Sequence, residues 1–204
     1  MTKGKFLYGL DISLKDTGVT IYDLEKKEFV FVDSFNTEKI YATKEHKNLH
    51  LNALKLHMIS LWMSDIIEKY PPYVVSIERM FSRFPMETQA IAKATGVIQH
   101  LLWDVPQFLY APKEVKLKIV HGNATKEDVA NSIKTKYNDI TFRNDDESDS
   151  FAVCLTCLIE HDLIQWDKPV WSDIVAMREP KEEKPKKPKK PTTVKKRVKK
   201  DKNT

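Results

Sequence analysis

The sequence predicts an α/β domain built on a mixed five-stranded sheet with helices on both faces. Three observations carry this. Three strand-like runs follow one another within the first 33 residues, with no helical period between them. Two more strand-like runs then alternate with stretches whose apolar residues recur at helical spacing. One of them, Tyr73 to Glu78 (YVVSIE), is continuous and rich in β-branched residues, the pattern of a strand covered on both faces. A meander followed by α/β crossovers gives a sheet with both antiparallel and parallel pairs.

Lys5 to Ser13 (KFLYGLDIS) reads as a buried strand ending in a carboxylate. Val19 to Asp23 and Glu28 to Asp33 alternate polar with apolar, and Leu24 to Lys27 supplies a polar turn between them. His46 to Tyr70 is a long helix with an apolar stripe of Leu49, Leu51, Leu54, Leu56, Ile59, Leu61, Trp62 and Ile66. Pro71-Pro72 stops it. After the strand Tyr73 to Glu78 come a helix from Met86 to Trp103 and a short fifth strand, Gln107 to Tyr110. Pro112 suits the first turn of a helix through Lys113 to Val120. Thr125 can cap a helix through Tyr137, whose first turn holds Glu127 and Asp128. Asp146 to His161 is the last predicted helix, and the apolar pattern fades after Trp171.

Charge divides the chain. Overall, 34 Lys and Arg face 29 Asp and Glu, a net of +5. Residues 179–204 hold 12 basic and 4 acidic residues, leaving 22 and 25 in residues 1–178. A slightly acidic domain (1–178) therefore precedes a basic Lys/Pro-rich tail (179–204), expected to be disordered because it has little to bury. The domain is too short for a two-lobed actin-like ATPase. Its five glycines form neither a G-x-G-x-x-G nor a G-x-x-x-x-G-K-[ST] loop. No apolar run is long enough to span a bilayer and the N-terminus lacks the form of a signal peptide. Two cysteines make no disulfide framework, so the expected compartment is a reducing cytoplasm.

Four acids occupy suggestive places. Asp11 ends the first strand and Glu78 the fourth, and these strands are natural neighbours in such a sheet. Asp146 and Asp149 share one face at the start of the last helix. Any one of them reads well as a solvated turn or helix-start residue. Together they would repel one another unless cations gathered there. Oxygen-only ligands favour hard ions such as Mg²⁺ or Mn²⁺, and two such ions can clamp the attacking and leaving oxygens of a phosphodiester. Asp145 and Glu147 stand beside Asp146 in the same run and remain alternatives to it.

The segments GLDISLKDTGVTIYD, VVSIERMF, ATGVIQHLL, YAPKEVK, GNATKEDV and DDESDSFAV, in this order and spacing, resemble the RuvC-like Holliday-junction resolvases, which have a ribonuclease H-like fold. The resemblance covers about Leu7 to Leu163. It implies Asp11, Glu78, Asp146 and Asp149 as ligands of two Mg²⁺ ions per active site, with Mn²⁺ as a substitute. It implies Lys126 as an active-site lysine that neutralises charge at the scissile phosphate. Lys116 matches a basic residue near the DNA backbone, and Lys113 and Lys118 extend that basic stretch. Phe81 matches an aromatic that enters the junction, and Arg79 and Arg83 flank it. Stacking on an unpaired base contributes about 1–3 kcal/mol. The resemblance further implies a homodimer formed through the helix from Met86 to Trp103, and branched DNA as partner.

The sequence departs from cellular members, which often continue the first motif with Pro-Gly. Here it continues Ile12-Ser13-Leu14-Lys15, so the cutting preference of those enzymes is not carried over. The departures and the tail are similar to the phage-borne branch, which implies the cytoplasm of a bacterial host. The expected activity is Mg²⁺-dependent, structure-selective cleavage of four-way junctions by paired nicks that leave 5′-phosphates. The alternatives are a related nuclease acting on forks, flaps or RNA–DNA hybrids, and a junction-binding protein without catalysis.

Other motifs have plainer readings. Cys154 and Cys157 lie on one face of an apolar helix, as core residues do. His46, His50 and His57 form no metalloprotease motif. His121 lies near Lys126 in sequence but reads first as a loop histidine. The tail suits a non-specific DNA tether with steep salt dependence.

Overall fold

Alternation along the strands sorts the interior into two cores, one on each face of the sheet. A computed structural model describes residues 4–41, 51–79 and 85–178. Five strands, β1 (Phe6–Asp11), β2 (Asp16–Asp23), β3 (Glu28–Asn36), β4 (Pro72–Glu78) and β5 (Gln107–Tyr110), lie in the order β3-β2-β1-β4-β5. The first three pair antiparallel, while β1–β4 and β4–β5 pair parallel. This is the mixed sheet the sequence predicts.

Tyr8 and Leu10 of β1, Ile12 just beyond it, and Val75 and Ile77 of β4 face α1 (Leu51–Lys69) and α2 (Pro85–Leu101). The alternate residues Leu7 and Val74 face α3 (Pro112–Ile119), α4 (Lys126–Lys134) and α5 (Asp145–Glu160). A period of two puts Asp11 and Glu78 on this second face. The Tyr8 hydroxyl donates to the Tyr70 and Ile66 carbonyl oxygens at 2.5 and 3.2 Å, closing the end of α1 against the sheet.

Helix α5 is the central buttress. From Ser150 to Leu158 it is buried throughout, and its backbone runs against β1 and β2 at two glycines. A methyl on Gly9 would lie 2.3 Å from the Ser150 carbonyl oxygen, and one on Gly18 would lie 2.1 Å from that of Asp146. Glycine is required at both for this close approach. The buried Thr20 and Ser150 hydroxyls bond across the contact at 3.0 Å.

Two features differ from expectation. The stripe predicted on α1 is broader than its buried face: Ile59, Met63 and Ile66 are buried, whereas Leu51 and Leu61 are exposed. Among the described residues, one side of this helix packs on the protein. The portion expected from His46 to His50 lies outside the described residues. A sixth helix, α6 (Trp171–Ala176), follows where the apolar pattern fades, docked by the fully buried Ile174. Cys154 and Cys157 are free, buried core residues. No described helix is long and apolar enough to cross a membrane.

Candidate active site

Parallel pairing sets the first two acids. Leu10 is in register with Ile77, so Asp11 and Glu78 leave the sheet side by side at the C-terminal ends of β1 and β4. Helix α5 brings the others. Its N-cap, Asn144, accepts from the Glu147 amide at 3.0 Å and donates to Ser34 of β3 at 2.8 Å. Arg143 ties the same turn to Asp33 of β3. These bonds, with the contact at Gly18, hold Asp146 and Asp149 above the strand ends.

The acids of the run point in different directions. Glu147 is buried and faces away, accepting from the Arg143 amide at 2.7 Å and its Nε at 2.5 Å. Asp145 is exposed. Asp146 and Asp149 are the two that interact electrostatically with Asp11.

The four carboxyls are held well away from their ordinary ionisation. Burial raises Asp11 well above the carboxylate range, and the neighbouring Glu78, Asp149 and Asp146 add to this. Burial and the Asp149 charge lift Glu78 to about 7. Burial and the nearby Asp16 carboxylate lift Asp146 to about 6. Asp149 is raised by burial against the opposing pull of Lys126.

Lys126 opens α4, where Thr125 caps the helix, and its ammonium bonds to Asp149. Burial opposes its charge, but the hydrogen bond and charge of Asp149 outweigh it and raise the ammonium's pKa. Lys116 of α3 lines the same small pocket with Glu78, Lys126 and Asp149. Among the described residues no group of three or more acidic, histidine or cysteine side chains stands close enough together to hold a metal ion as it is. Asp11 interacts electrostatically with Glu78, Asp149 and Asp146, and carboxyl oxygens of this kind suit hard divalent cations.

Other predicted residues are distributed more widely. Arg79 follows Glu78 and lies 3.8 Å from Glu114. The Lys113 side chain lies alongside Gly122, at the loop leading to α4. Lys118 points elsewhere and pairs with Glu160 at 3.9 Å, because residues two apart on a helix face different ways. Phe81 and Arg83 lie outside the described residues, as does the tail. His121 packs on Trp171, and its Nδ1 accepts from the Asn123 amide at 3.2 Å. Sequence reasoning missed Asp16, Gly9 and Gly18. Glycines inside strand patterns were the available signal for the last two.

A mixed sheet in this order, with acids converging from two adjacent strand ends and the last long helix, defines a ribonuclease H-like nuclease. The chain belongs to the crossover junction endodeoxyribonuclease RuvC family, whose family model matches residues 7–157. The RuvC of Prochlorococcus marinus (strain NATL2A) is 28% identical over 155 residues, covering 74% of this chain and 96% of the relative. That of Stenotrophomonas maltophilia (strain R551-3) is 31% identical over 164 residues, covering 74% and 86%. Among solved structures, Thermus thermophilus RuvC in complex with a Holliday-junction substrate matches with a TM-score of 0.62 at 18% identity, covering 78% of this chain and 95% of that one. The yeast mitochondrial Holliday-junction resolvase Ydc2 matches at 0.53 and 13% identity, covering 78% and 83%.

Proposed function

We propose that this protein is a Mg²⁺-dependent endonuclease that resolves four-way DNA junctions by paired nicks, leaving 5′-phosphates and 3′-hydroxyls. The observation that carries this reading is that Asp11 lies within electrostatic reach of Glu78, Asp146, Asp149 and Lys126, and that Glu78, Asp149 and Lys126 line one small pocket. Asp11, Glu78, Asp149 and Asp146 would hold two divalent ions. Such ions, when bound, supply charge neutralisation for the phosphodiester and orient the attacking and leaving oxygens.

The chain's own groups supply the rest. Lys126 places a positive charge at the pocket edge, where a scissile phosphate would lie, and Lys116 adds another on the same wall. The N-terminal end of α5 points its amide dipoles toward the same region and favours negative charge there. Lys113 and Arg79 extend the basic border toward the DNA backbone. The segment bearing Phe81 and Arg83 follows directly after Glu78, which suits it to stack on bases at an opened crossover.

A homodimer would set two such sites against the two strands to be cut. The exposed face of α2 supports pairing there: it carries Met86, Gln89, Ala92, Lys93, Gly96 and His100. Among the described residues, a methyl on Gly96 would meet nothing within 4 Å. The tail adds a separate, salt-sensitive tether.

The test maps cut sites on a fixed four-way junction in Mg²⁺, beside a fork and an RNA–DNA hybrid. Symmetric nicks across the branch point, absent from the other substrates, are expected. Asp11→Asn should bind the junction in Ca²⁺ yet fail to cut it. Full cleavage by that variant would overturn the site.

A further inference from the structure

Lys126 stands at an unfavourable place for a cation. It is the first residue of α4, at the positive end of the helix dipole, and its side chain is more than half exposed. The start of α4 is held both by its own cap and by a contact from outside the helix.

That support comes from Asp128, which is fully buried. One of its oxygens, Oδ2, accepts from the Thr125 amide and from the Thr125 hydroxyl, each at 2.8 Å. The Thr125 hydroxyl oxygen in turn accepts from the Asp128 amide at 3.2 Å. This reciprocal cap fixes the residue immediately before Lys126. Arg178 then grips the same carboxylate at two points, Nε to Oδ1 at 2.7 Å and a terminal nitrogen to Oδ2 at 3.0 Å. Arg178 is held in its turn: its guanidinium lies 5.2 Å from the centre of the Trp171 ring, which packs on His121. Buried Ile174 anchors the segment between. Residues 171–178 thus strap the root of α4 from outside.

We propose that Arg178, acting through Asp128 and the Thr125 cap, is a positioning residue that sets the active-site lysine against Asp149 and the scissile phosphate. The proposal rests on the reading of Lys126 given above. A two-point fork holds a carboxylate in one orientation, which a single ammonium does not. Misplacing a catalytic group by a fraction of its reach slows chemistry without weakening the binding of a large substrate.

The experiment measures single-turnover cleavage of a saturating four-way junction in Mg²⁺, with junction affinity measured in Ca²⁺. Wild type, Arg178→Gln, Lys126→Met and the double variant of the full chain are compared. Arg178→Gln should slow cleavage about tenfold, with the junction Kd unchanged within about twofold. In the Lys126→Met background the same change should slow it no further, because the group it positions is gone. Asp128→Asn keeps an acceptor for Thr125 and leaves no unpaired buried carboxylate. It provides the same comparison if Arg178→Gln does not fold. Cleavage at the wild-type rate by a folded clamp variant, or an equal slowing with and without Lys126, overturns the positioning role. If Lys126→Met itself cuts at the wild-type rate, the reading of the lysine falls and the clamp proposal with it. A slow Lys126→Met beside a fast Arg178→Gln refutes the clamp alone.

Discussion

Gly18 lies directly beneath the backbone of Asp146, so close that a methyl on it would sit 2.1 Å from the Asp146 carbonyl oxygen. The same glycine is the cross-strand partner of Asp11. One small residue therefore sets the height of α5 over the strand end and brings Asp146 near Asp11.

Replacing it tests that geometry. Gly18→Ala should destabilise the protein by about 1–3 kcal/mol through overpacking, because the clash is with backbone and no side chain can swing away. The helix start must lift, which should slow cleavage far more than the stability loss alone explains. Urea unfolding and single-turnover cleavage measure the two effects. A variant of wild-type stability and rate would show that α5 has room to spare.

The raised carboxyls predict a stability that falls with pH when divalent ions are chelated. Folded Glu78 keeps its proton up to about 7, whereas an ordinary glutamate releases it near 4.5. Between these values the native state binds more protons than the unfolded one, so stability declines as pH rises and stays low above 7. Glu78 alone corresponds to about 3 kcal/mol. Asp146, lifted to about 6, contributes in the same direction over a lower window. Glu78→Gln should therefore stabilise the protein at pH 8 in EDTA while abolishing cleavage. Wild type should recover stability with added Mg²⁺, by about 2.7 kcal/mol at one hundred times the Kd. A flat stability profile from pH 5 to pH 8 in denaturation curves would show that these carboxyls titrate as ordinary ones.

Cleavage should follow the opposite course. Ligand carboxylates bind metal only when deprotonated, so at limiting Mg²⁺ the rate should climb as pH rises through about 6 and 7, where Asp146 and Glu78 release their protons. Saturating Mg²⁺ should move that rise to lower pH. An acid limb that ignores Mg²⁺ concentration would place the controlling proton elsewhere.

How much of this was legible in the sequence depended on the physics behind each feature. Strand runs and helix caps are local, so β5 and the Thr125 cap could be read directly. Asp11 and Glu78 were legible because alternation and a parallel crossover are general rules. The choice of Asp146 over Glu147 was not, because it turns on Arg143 capturing Glu147, a contact that requires the loop before α5 to be folded. Helix α6 escaped notice because it is only six residues long and is held by contacts with distant residues: Ile174 in the core and Arg178 on Asp128. The role of Gly18 depends on a helix more than 120 residues away.

Gly96 predicts a dimer contact. Glycine in the middle of a helix is about 1 kcal/mol less favourable than alanine, and nothing among the described residues requires it there. If α2 packs closely on a second copy, Gly96→Leu should dissociate the dimer, weakening paired nicking while single nicks persist. Sedimentation velocity and a strand-resolved cleavage assay report these effects. A Gly96→Leu protein that keeps both its mass and its paired cutting would remove α2 from the interface.

The tail and the clamp meet at Arg178, and truncation can separate them. Deleting residues 179–204 removes 12 basic and 4 acidic residues but keeps the arginine that grips Asp128. If half of those basic residues meet phosphates, the slope of log affinity against log salt should fall by about 5, at about 0.9 for each phosphate neutralised. Junction binding should weaken at physiological salt, while single-turnover cleavage at low salt should persist at close to the full rate. Adding Arg178→Gln to the truncated chain should then slow cleavage without changing the remaining salt slope, since one residue serves the lysine and the others serve the DNA backbone. Loss of low-salt cleavage on truncation alone would mean that the tail acts within the active site and that the separation of roles at Arg178 is mistaken.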